Sequence, residues 1–202
     1  MNDSPDTSTR ILIVDDDVGQ ADMLMEYLHI SGFEHVDLVE SIRDLWRKLK
    51  EKEDAVSAAT GDDAKGRDAY EIILLDYMLP DGTGLDVLKQ LPERDCQIPV
   101  IMVTGQGSER IAAQAIQNGA ADYLIKTGGY LMTIPALIKK TLDAQELKLS
   151  IQRSLQALRE SEARYRAIVE DYHTELICRF KPNGALTFVN EVYCRYFERP
   201  RD

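Results

Sequence analysis

Cysteine is scarce: the 202 residues include three, Cys96, Cys178 and Cys194, widely spaced and without a CxxC pair. An odd, scattered set does not build a disulfide scaffold, and no histidine lies at zinc-ligand spacing. Long apolar runs are also missing. No stretch approaches the 18 apolar residues of a membrane span, and Met1–Arg10 lacks the apolar segment of a signal peptide. We therefore expect reduced thiols, a cytoplasmic chain and a disordered N-terminus over residues 1–9.

Positive charge is in deficit, with 24 Lys and Arg against 35 Asp and Glu. The excess is local: residues 1–140 hold 14 basic and 25 acidic side chains, whereas residues 141–202 hold ten of each. A net-negative domain repels phosphate backbones and anionic lipid, so we predict no nucleic-acid and no membrane partner for residues 1–140. Hydrophobic residues make up 44% of the chain, enough for an ordinary core.

Short apolar runs alternate with segments of helical period along residues 10–145. The runs predict five buried strands, at Ile11–Val14, Val36–Val39, Ile72–Leu75, Val100–Val103 and Tyr123–Ile125. Between them the apolar positions expected in the core are Met23, Leu24, Tyr27 and Leu28; Ile42, Leu45, Trp46 and Leu49; Leu85, Leu88 and Leu91; and Ile111, Ala112, Ala115 and Ile116. Strands and helices in strict alternation predict an α/β, doubly wound (βα)5 domain with a parallel five-stranded sheet.

Residues typical of helix ends mark several boundaries of these elements. Ser41 suits an N-cap, Asn118-Gly119 a helix end, and Pro135 the first turn of a fifth helix. The segment Lys52–Tyr70, rich in Ala, Asp, Gly and Lys, is longer than a usual connection. We interpret it as an exposed and mobile loop.

A long helix is expected from Pro135 to about Asp171, since no helix breaker occurs before Pro182. Apolar residues recur seven apart, which is typical of a coiled coil and predicts a homodimer through this helix. The predicted seam consists of Leu137, Ala144, Ile151, Leu158 and Tyr165, with Leu155 in an imperfect companion row. Residues 146–172 are thus predicted to be a helical signalling linker. The alternative is a solvated helical linker whose apolar spacing is accidental.

A turn cluster, Lys181-Pro182-Asn183-Gly184, separates two further apolar runs. Asn-Gly between such runs predicts a β-hairpin, formed here by Leu176–Phe180 and Ala185–Asn190, with a helix at Glu191–Phe197. A lone hairpin is marginal in water, so residues 173–202 are expected to be the opening of an incomplete domain.

Polar residues follow the predicted strands where each strand ends. Asp15-Asp16-Asp17, Asp76, Thr104 and Lys126 would meet at one edge, because parallel strands share the direction of their carboxyl ends. Clustered carboxylates need a cation, and Mg²⁺ prefers such oxygen ligands, with Mn²⁺ as an alternative. A carboxylate, a hydroxyl and an ammonium at one point suit phosphoryl transfer, with Asp76 as the nucleophile. No organic cofactor is indicated.

Four sequence blocks closely resemble the receiver domain of two-component response regulators, over about residues 10–145. They are Ile11–Asp17 (ILIVDDD), Ile72–Leu85 (IILLDYMLPDGTGL), Val100–Gly105 (VIMVTG) and Gly119–Lys126 (GAADYLIK). The resemblance implies a flavodoxin-like fold and a protein that is no enzyme beyond its own phosphorylation and dephosphorylation. The expected partner is a sensor histidine kinase or a phosphotransfer protein.

The same resemblance implies a role for each matching residue. Asp76 is the phosphoacceptor; Asp15, Asp16, Asp76 and the backbone carbonyl of Met78 hold Mg²⁺. Thr104 and Lys126 bind the phosphoryl group, and Tyr123 is the aromatic whose rotamer follows the threonine. Three departures stand out: Thr127 replaces the usual proline, the Lys52–Tyr70 segment is longer than the usual connection of the family, and Asp17 adds a third acid. That acid suits helix capping equally well.

Residues Arg164–Phe197 resemble the start of a PAS sensor domain, truncated after its first third. The resemblance implies a parent chain with a histidine kinase or cyclic-dinucleotide output, and it assigns no PAS ligand. Two other functions remain open. One is an Mg²⁺-dependent aspartyl phosphohydrolase, whose nucleophile is expected on the first strand; the other is a degenerate receiver acting only as a dimerisation module.

Overall fold

The computed structural model describes residues 8–58, 69–105, 109–171 and 176–198. They fall into two compact units that divide between Glu146 and Leu147. A disordered N-terminus was expected over residues 1–9. Residues 1–7 lie outside the described ranges. Of the two that are described, Thr9 is buried. None of the described helices is both long enough and apolar enough to cross a membrane.

The described residues contain nine strands and six α-helices. The strands are β1 (Arg10–Val14), β2 (His35–Val39), β3 (Ile72–Leu75), β4 (Met78–Leu79), β5 (Gly82–Thr83), β6 (Val100–Thr104), β7 (Asp122–Ile125), β8 (Cys178–Phe180) and β9 (Leu186–Val189). The helices are α1 (Val18–Ile30), α2 (Ile42–Ala58), α3 (Gly84–Glu93), α4 (Glu109–Gln117), α5 (Ile134–Asp171) and α6 (Glu191–Tyr196), and a 3-10 turn spans Tyr130–Thr133.

The first unit is built on a parallel sheet with the strand order β2-β1-β3-β6-β7. Alternate residues of β1 point to opposite faces, as the period of a strand requires. Leu12 and Val14 join a core cluster with α2, α3 and α4, whereas Ile11 and Ile13 join a second cluster with α1 and the start of α5. The predicted doubly wound, five-stranded parallel sheet is thereby confirmed.

Several boundaries agree closely with the sequence-based expectation. The Ser41 hydroxyl accepts the Asp44 N–H at 3.1 Å and caps α2, α4 ends before Asn118 and a left-handed Gly119, and Pro135 lies in the first turn of α5. The two-residue strands β4 and β5, which pair in an antiparallel hairpin, were not predicted. Two residues are too few to show an alternating pattern.

The expected loop Lys52–Tyr70 is wrong over its first part, because α2 continues to Ala58. Lys, Glu and Ala are strong helix formers, and the stretch 51–58 contains no glycine or proline to end the helix. Residues 59–68 lie outside the described ranges, so the rest of that interpretation is untested. At residues 69–71 the chain enters β3, with the Glu71 N–H donating to the Arg10 carbonyl at 2.9 Å.

Three apolar positions do not lie where the helical pattern predicted. Met23 is 60% exposed and Ile116 is 51% exposed. In α1 the inward row is Ala21, Leu24 and Leu28, and Met23 falls one residue off that row. Leu137, assigned by its spacing to the dimer seam, packs instead against the core of the first unit.

The second unit contains residues Leu147–Asp171 of α5, the antiparallel pair β8 and β9, and α6. The hairpin and the short helix follow the prediction within two residues. Asn190 is fully buried between them: its Oδ1 accepts the N–H groups of Ile177 and Tyr193, both at 3.1 Å. One amide oxygen thus joins the start of the hairpin to the first turn of α6.

Candidate functional site

The acidic run after β1 separates into three different environments. Asp15 is buried, and its Oδ1 accepts the backbone N–H of Asp17 at 3.0 Å. Asp16 is exposed. Asp17 caps α1, since its Oδ1 accepts the Gln20 N–H at 3.1 Å and its Oδ2 accepts the Gln20 side-chain amide at 2.6 Å. The Gln20 N–H holds the pKa of Asp17 below its usual value, so the third acid serves the helix.

Asp76 lies at the end of the central strand β3 and is buried. Its N–H donates to the Val14 carbonyl at 2.8 Å, which fixes it beside the end of β1. Its Oδ2 accepts the Met78 N–H at 2.9 Å. Burial raises the pKa of the Asp76 carboxyl, and this effect outweighs the stabilisation that Lys126 and the Met78 N–H give to the charged form. Burial therefore makes the charged form of Asp76 less favourable than that of an aspartate in water.

Lys126 reaches this pair from the loop after β7. Its backbone N–H donates to the Thr104 carbonyl at 2.8 Å. Its Nζ lies 2.7 Å from Asp15 Oδ2 and 3.1 Å from Asp76 Oδ1, with the side chain 9% exposed. Burial alone would lower the pKa of Lys126, but the hydrogen bond that its ammonium donates to Asp15 and the charges of both carboxylates raise it on balance. The ammonium therefore stays charged and bridges the two buried acids.

The three acids named by the sequence also fit a cation. One carboxylate oxygen from each of Asp15, Asp16 and Asp76 lies within 4.8 Å of the others. Three carboxylates with one lysine leave a net negative charge, and an all-oxygen donor set suits a hard divalent ion such as Mg²⁺. Receiver domains generally use Mg²⁺, and the donor chemistry here fits that ion.

Thr104 and Tyr123 flank this group at different depths. Thr104 is buried at the end of β6, opposite Ile125 of β7. Tyr123 is partly buried, packs against the core cluster shared with α2, α3 and α4, and has its pKa raised by burial. The carboxyl ends of the strands therefore bring four residues to one end of the sheet: Asp15, Asp76, Thr104 and Lys126. Tyr123 lies two residues before Ile125, the residue opposite Thr104 on β7.

Two further residues were not identified from the sequence, Asp81 in the loop after β3 and Gly84 at the start of α3. Asp81, at the turn between β4 and β5, accepts the N–H groups of Ile42 and Arg43 of α2, both at 2.9 Å. Gly84 lies under Asp76: a Cβ there would stand 2.6 Å from the Asp76 carbonyl oxygen. A Pro-Asp-Gly turn and a glycine at a helix start are the signals that were available, and neither names its distant partner.

The family is shown by direct comparison. Residues 11–130 match the model of the response regulator receiver domain. The chain belongs to this family. Curated relatives include the methanogenesis regulatory protein FilR1 of Methanothrix harundinacea, 32% identical over 65% of this chain, and the transcriptional regulatory protein CiaR of Streptococcus pneumoniae, 31% identical over 65%. The chain covers 27% of FilR1 and 52% of CiaR, so the receiver is only part of those proteins.

Solved receiver domains agree with the fold. The signal receiver domain of a putative Luxo repressor from Vibrio parahaemolyticus is 25% identical, with a TM-score of 0.58, covering 71% of this chain and 96% of that one. A CheY-like receiver from Methanospirillum hungatei JF-1 is 26% identical, with a TM-score of 0.56, covering 69% and 98%. The first unit is therefore a flavodoxin-like receiver of the two-component class, homologous to phosphoaccepting regulators.

Proposed function

We propose that Asp76 is the phosphoacceptor of this receiver and that the donor is the phosphohistidine of a sensor histidine kinase or of a phosphotransfer protein. The observation that carries the proposal is the environment of the Asp76 carboxylate. It is buried at the end of the central strand, contacts the Lys126 ammonium, and lies among oxygens of Asp15 and Asp16. Asp16, by contrast, is exposed and suits a ligand better than a nucleophile.

The transfer uses Asp76 as an oxygen nucleophile. One carboxylate oxygen attacks the phosphorus in line with the P–N bond of phosphohistidine; that bond breaks, and the imidazole nitrogen leaves with the electron pair and takes up a proton. Lys126 compensates the charge that gathers on the phosphoryl oxygens. Asp15, Asp16, Asp76 and the Met78 carbonyl would hold Mg²⁺, which would neutralise the same oxygens and so reduce the repulsion between the Asp76 carboxylate and the incoming phosphoryl group. The product is an aspartyl phosphate.

Signalling then involves Thr104 and Tyr123. Thr104 lies at the end of β6, where its backbone carbonyl accepts the Lys126 N–H, and its hydroxyl is suited to hydrogen-bond a new phosphoryl oxygen. Movement of Thr104 changes the space available to the Tyr123 ring and so the packing near α4 and α5. This local rearrangement is the proposed link between phosphorylation and the rest of the chain.

Residues 147–171 of α5 are proposed to act as a helical dimer element, and the hairpin and α6 as the start of a PAS-type module. Support comes from α5, where Ile151, Leu155, Leu158 and Tyr165 are each about half exposed or more, although all are apolar or aromatic. A second copy of the helix would cover them. None of the three cysteines forms a disulfide, which suits the proposed cytoplasmic location.

Intact-protein mass spectrometry tests the proposal for Asp76. Incubation with Mg²⁺ and a small phosphodonor is expected to add one phosphoryl group to the wild type and none to Asp76→Asn or to a sample with chelated Mg²⁺. Labelling that persists in Asp76→Asn would assign the nucleophile elsewhere. Rapid turnover of phosphoesters through Asp15 or Asp16 would favour a phosphohydrolase, and a folded protein that no donor labels would favour a degenerate receiver.

A further inference from the structure

The loop that follows Asp76 is hydrogen-bonded to the first turn of α2. This loop, residues 77–83 and here termed the site loop, carries Met78, whose N–H donates to Asp76 Oδ2. At its tip, Asp81 accepts two N–H groups from the first turn of α2, at 2.9 Å each. The partners are 39 and 38 residues away in sequence, so the contact is tertiary rather than a local cap.

The two bonds supply what the helix lacks. The first N–H groups of an α-helix have no partner within the helix. Ser41, the local cap of α2, accepts only the Asp44 N–H among these groups. Asp81 accepts the two that precede it, those of Ile42 and Arg43. Desolvation acts to raise the pKa of Asp81, but the two N–H groups outweigh it and hold that pKa below its usual value. The start of α2 is therefore completed by a residue of the site loop.

Steric contact reinforces this attachment. A Cβ on Gly82 would stand 2.8 Å from Ile42 Cδ1, so the backbone of the site loop lies directly against the side chain that begins α2. At its other end the site loop is fixed to α3, because Thr83 forms a reciprocal capping box with Asp86. Met78 pairs with Thr83 across the β4–β5 hairpin, so both attachments restrict the backbone at Met78.

We propose that Asp81 is a positioning residue for the metal centre. By accepting the first N–H groups of α2, it fixes the site loop and keeps the Met78 backbone beside Asp76, where the Met78 carbonyl would bind the cation. The inference rests on the proposed function, since it concerns the same Mg²⁺ site. Asp81 touches neither the cation nor the phosphoryl group. Its effect on binding runs through the backbone that it anchors.

Calorimetric titration with Mg²⁺ is the first measurement, on three variants of the full chain. Asp81→Ala removes both acceptors and is expected to weaken Mg²⁺ binding about tenfold, as loss of an orienting partner outside the ligand set typically does. Ser41→Ala is the matched control, because it removes the other cap of the same helix without releasing the site loop. It is expected to bind Mg²⁺ like the wild type even where it unfolds at a lower temperature.

Asp81→Asn removes half of the attachment. The Ile42 and Arg43 N–H groups donate to different oxygens of Asp81, and asparagine keeps one acceptor oxygen but places an NH2 group at the other position. We expect its Mg²⁺ affinity to lie between those of the wild type and Asp81→Ala. Affinities equal to the wild type in both Asp81 variants would show that the attachment does not position the site loop, and equal losses in Ser41→Ala and Asp81→Ala would show that only helix stability matters. Either result overturns the proposal.

Hydrogen exchange provides a readout that needs no metal. Without Mg²⁺, the Met78 N–H is expected to exchange at least several-fold faster in Asp81→Ala than in the wild type or Ser41→Ala, because the site loop opens more often. Unchanged exchange at Met78 would overturn the proposal. If instead the wild type binds no Mg²⁺ while the exchange difference is present, the metal site of the proposed function fails and the anchoring of the site loop by Asp81 stands.

Discussion

Gly84 lies so close beneath Asp76 that a Cβ at Gly84 would stand 2.6 Å from the Asp76 carbonyl oxygen. The same atom would stand 3.1 Å from Met102 Cε and 3.3 Å from Leu75 Cγ. The first contact is with backbone, which cannot turn aside as a flexible side chain does. The end of β3 and the start of α3 can approach this closely only because residue 84 has no side chain.

Gly84→Ala is therefore expected to displace the end of β3, destabilise the fold by about 1 to 3 kcal/mol and slow phosphorylation of Asp76. Urea unfolding and the rate of labelling by a small phosphodonor measure the two effects. Gly128→Ala is the control, since a Cβ at Gly128 meets nothing within 4 Å. Equal behaviour of the two variants would contradict the steric role of Gly84.

Lys126→Met leaves two buried carboxylates without their shared countercharge. Removing one partner of a buried ion pair typically costs about 3 kcal/mol or more, and we expect a loss of this size in Mg²⁺-free buffer. Added Mg²⁺ supplies positive charge to Asp15 and Asp76, so the loss should shrink when the ion is present. Chemical denaturation with and without Mg²⁺ measures both quantities.

Lys89→Met is the matched control for that experiment. Lys89 lies 3.8 Å from Asp86 but its side chain is 59% exposed, and such surface pairs are worth less than about 1 kcal/mol. Its removal should matter little, with no dependence on Mg²⁺. A Lys126→Met protein as stable as Lys89→Met in the absence of Mg²⁺ would refute the role of Lys126 as countercharge.

The edge of the sheet was predictable because apolar runs show where buried strands end. Asp15, Asp76, Thr104 and Lys126 are up to 111 residues apart in sequence, yet each follows such a run. In a parallel sheet the carboxyl ends of the strands share one side, so position along the strand is enough to bring these residues together. The ion pairs of Lys126 with Asp15 and Asp76 follow from this arrangement.

The contacts of Asp81 and the full length of α2 were beyond the sequence pattern. Which carboxylate reaches the start of α2 depends on how helices and loops pack. Asp81 lies 39 residues from Ile42 in a turn, and no periodic sequence pattern links the two residues. In α2 the pattern of apolar residues ends at Leu49, so the later part of the helix rests on polar residues of good helix propensity. Composition there resembles that of a loop.

Tyr70 provides a prediction for alkaline pH. Its hydroxyl donates to Asp37 Oδ2, and burial, with the nearby Asp37 charge, raises the pKa of Tyr70. A folded-state pKa above the unfolded value of about 10 means that the stabilisation is complete below pH 10 and is lost as pH rises beyond it. At pH 8, Tyr70→Phe should cost about 1 to 2 kcal/mol for the lost bond to a carboxylate.

The gap between wild type and Tyr70→Phe should narrow at pH 10.5, because the unfolded wild type then releases a proton that the folded protein retains. Urea unfolding at both pH values gives the difference. Tyr165→Phe, at a ring that is 61% exposed, should track the wild type within about 0.5 kcal/mol throughout. A gap that stays constant or widens with pH would show that the Tyr70 hydroxyl does not titrate as its burial beside Asp37 requires.

The exposed apolar row of α5 predicts self-association. Leu155 and Leu158 are 49% and 55% exposed, and a second helix would bury them at the spacing of a coiled coil. Replacing both with glutamate should place like charges opposite one another and shift the chain toward monomer. Sedimentation at micromolar concentration measures the shift, with Ser154→Glu as the control, since Ser154 is exposed and lies outside the row. If the wild type already sediments as a monomer, or if the double variant sediments unchanged, the helix is a solvated linker and phosphorylation must act through another surface.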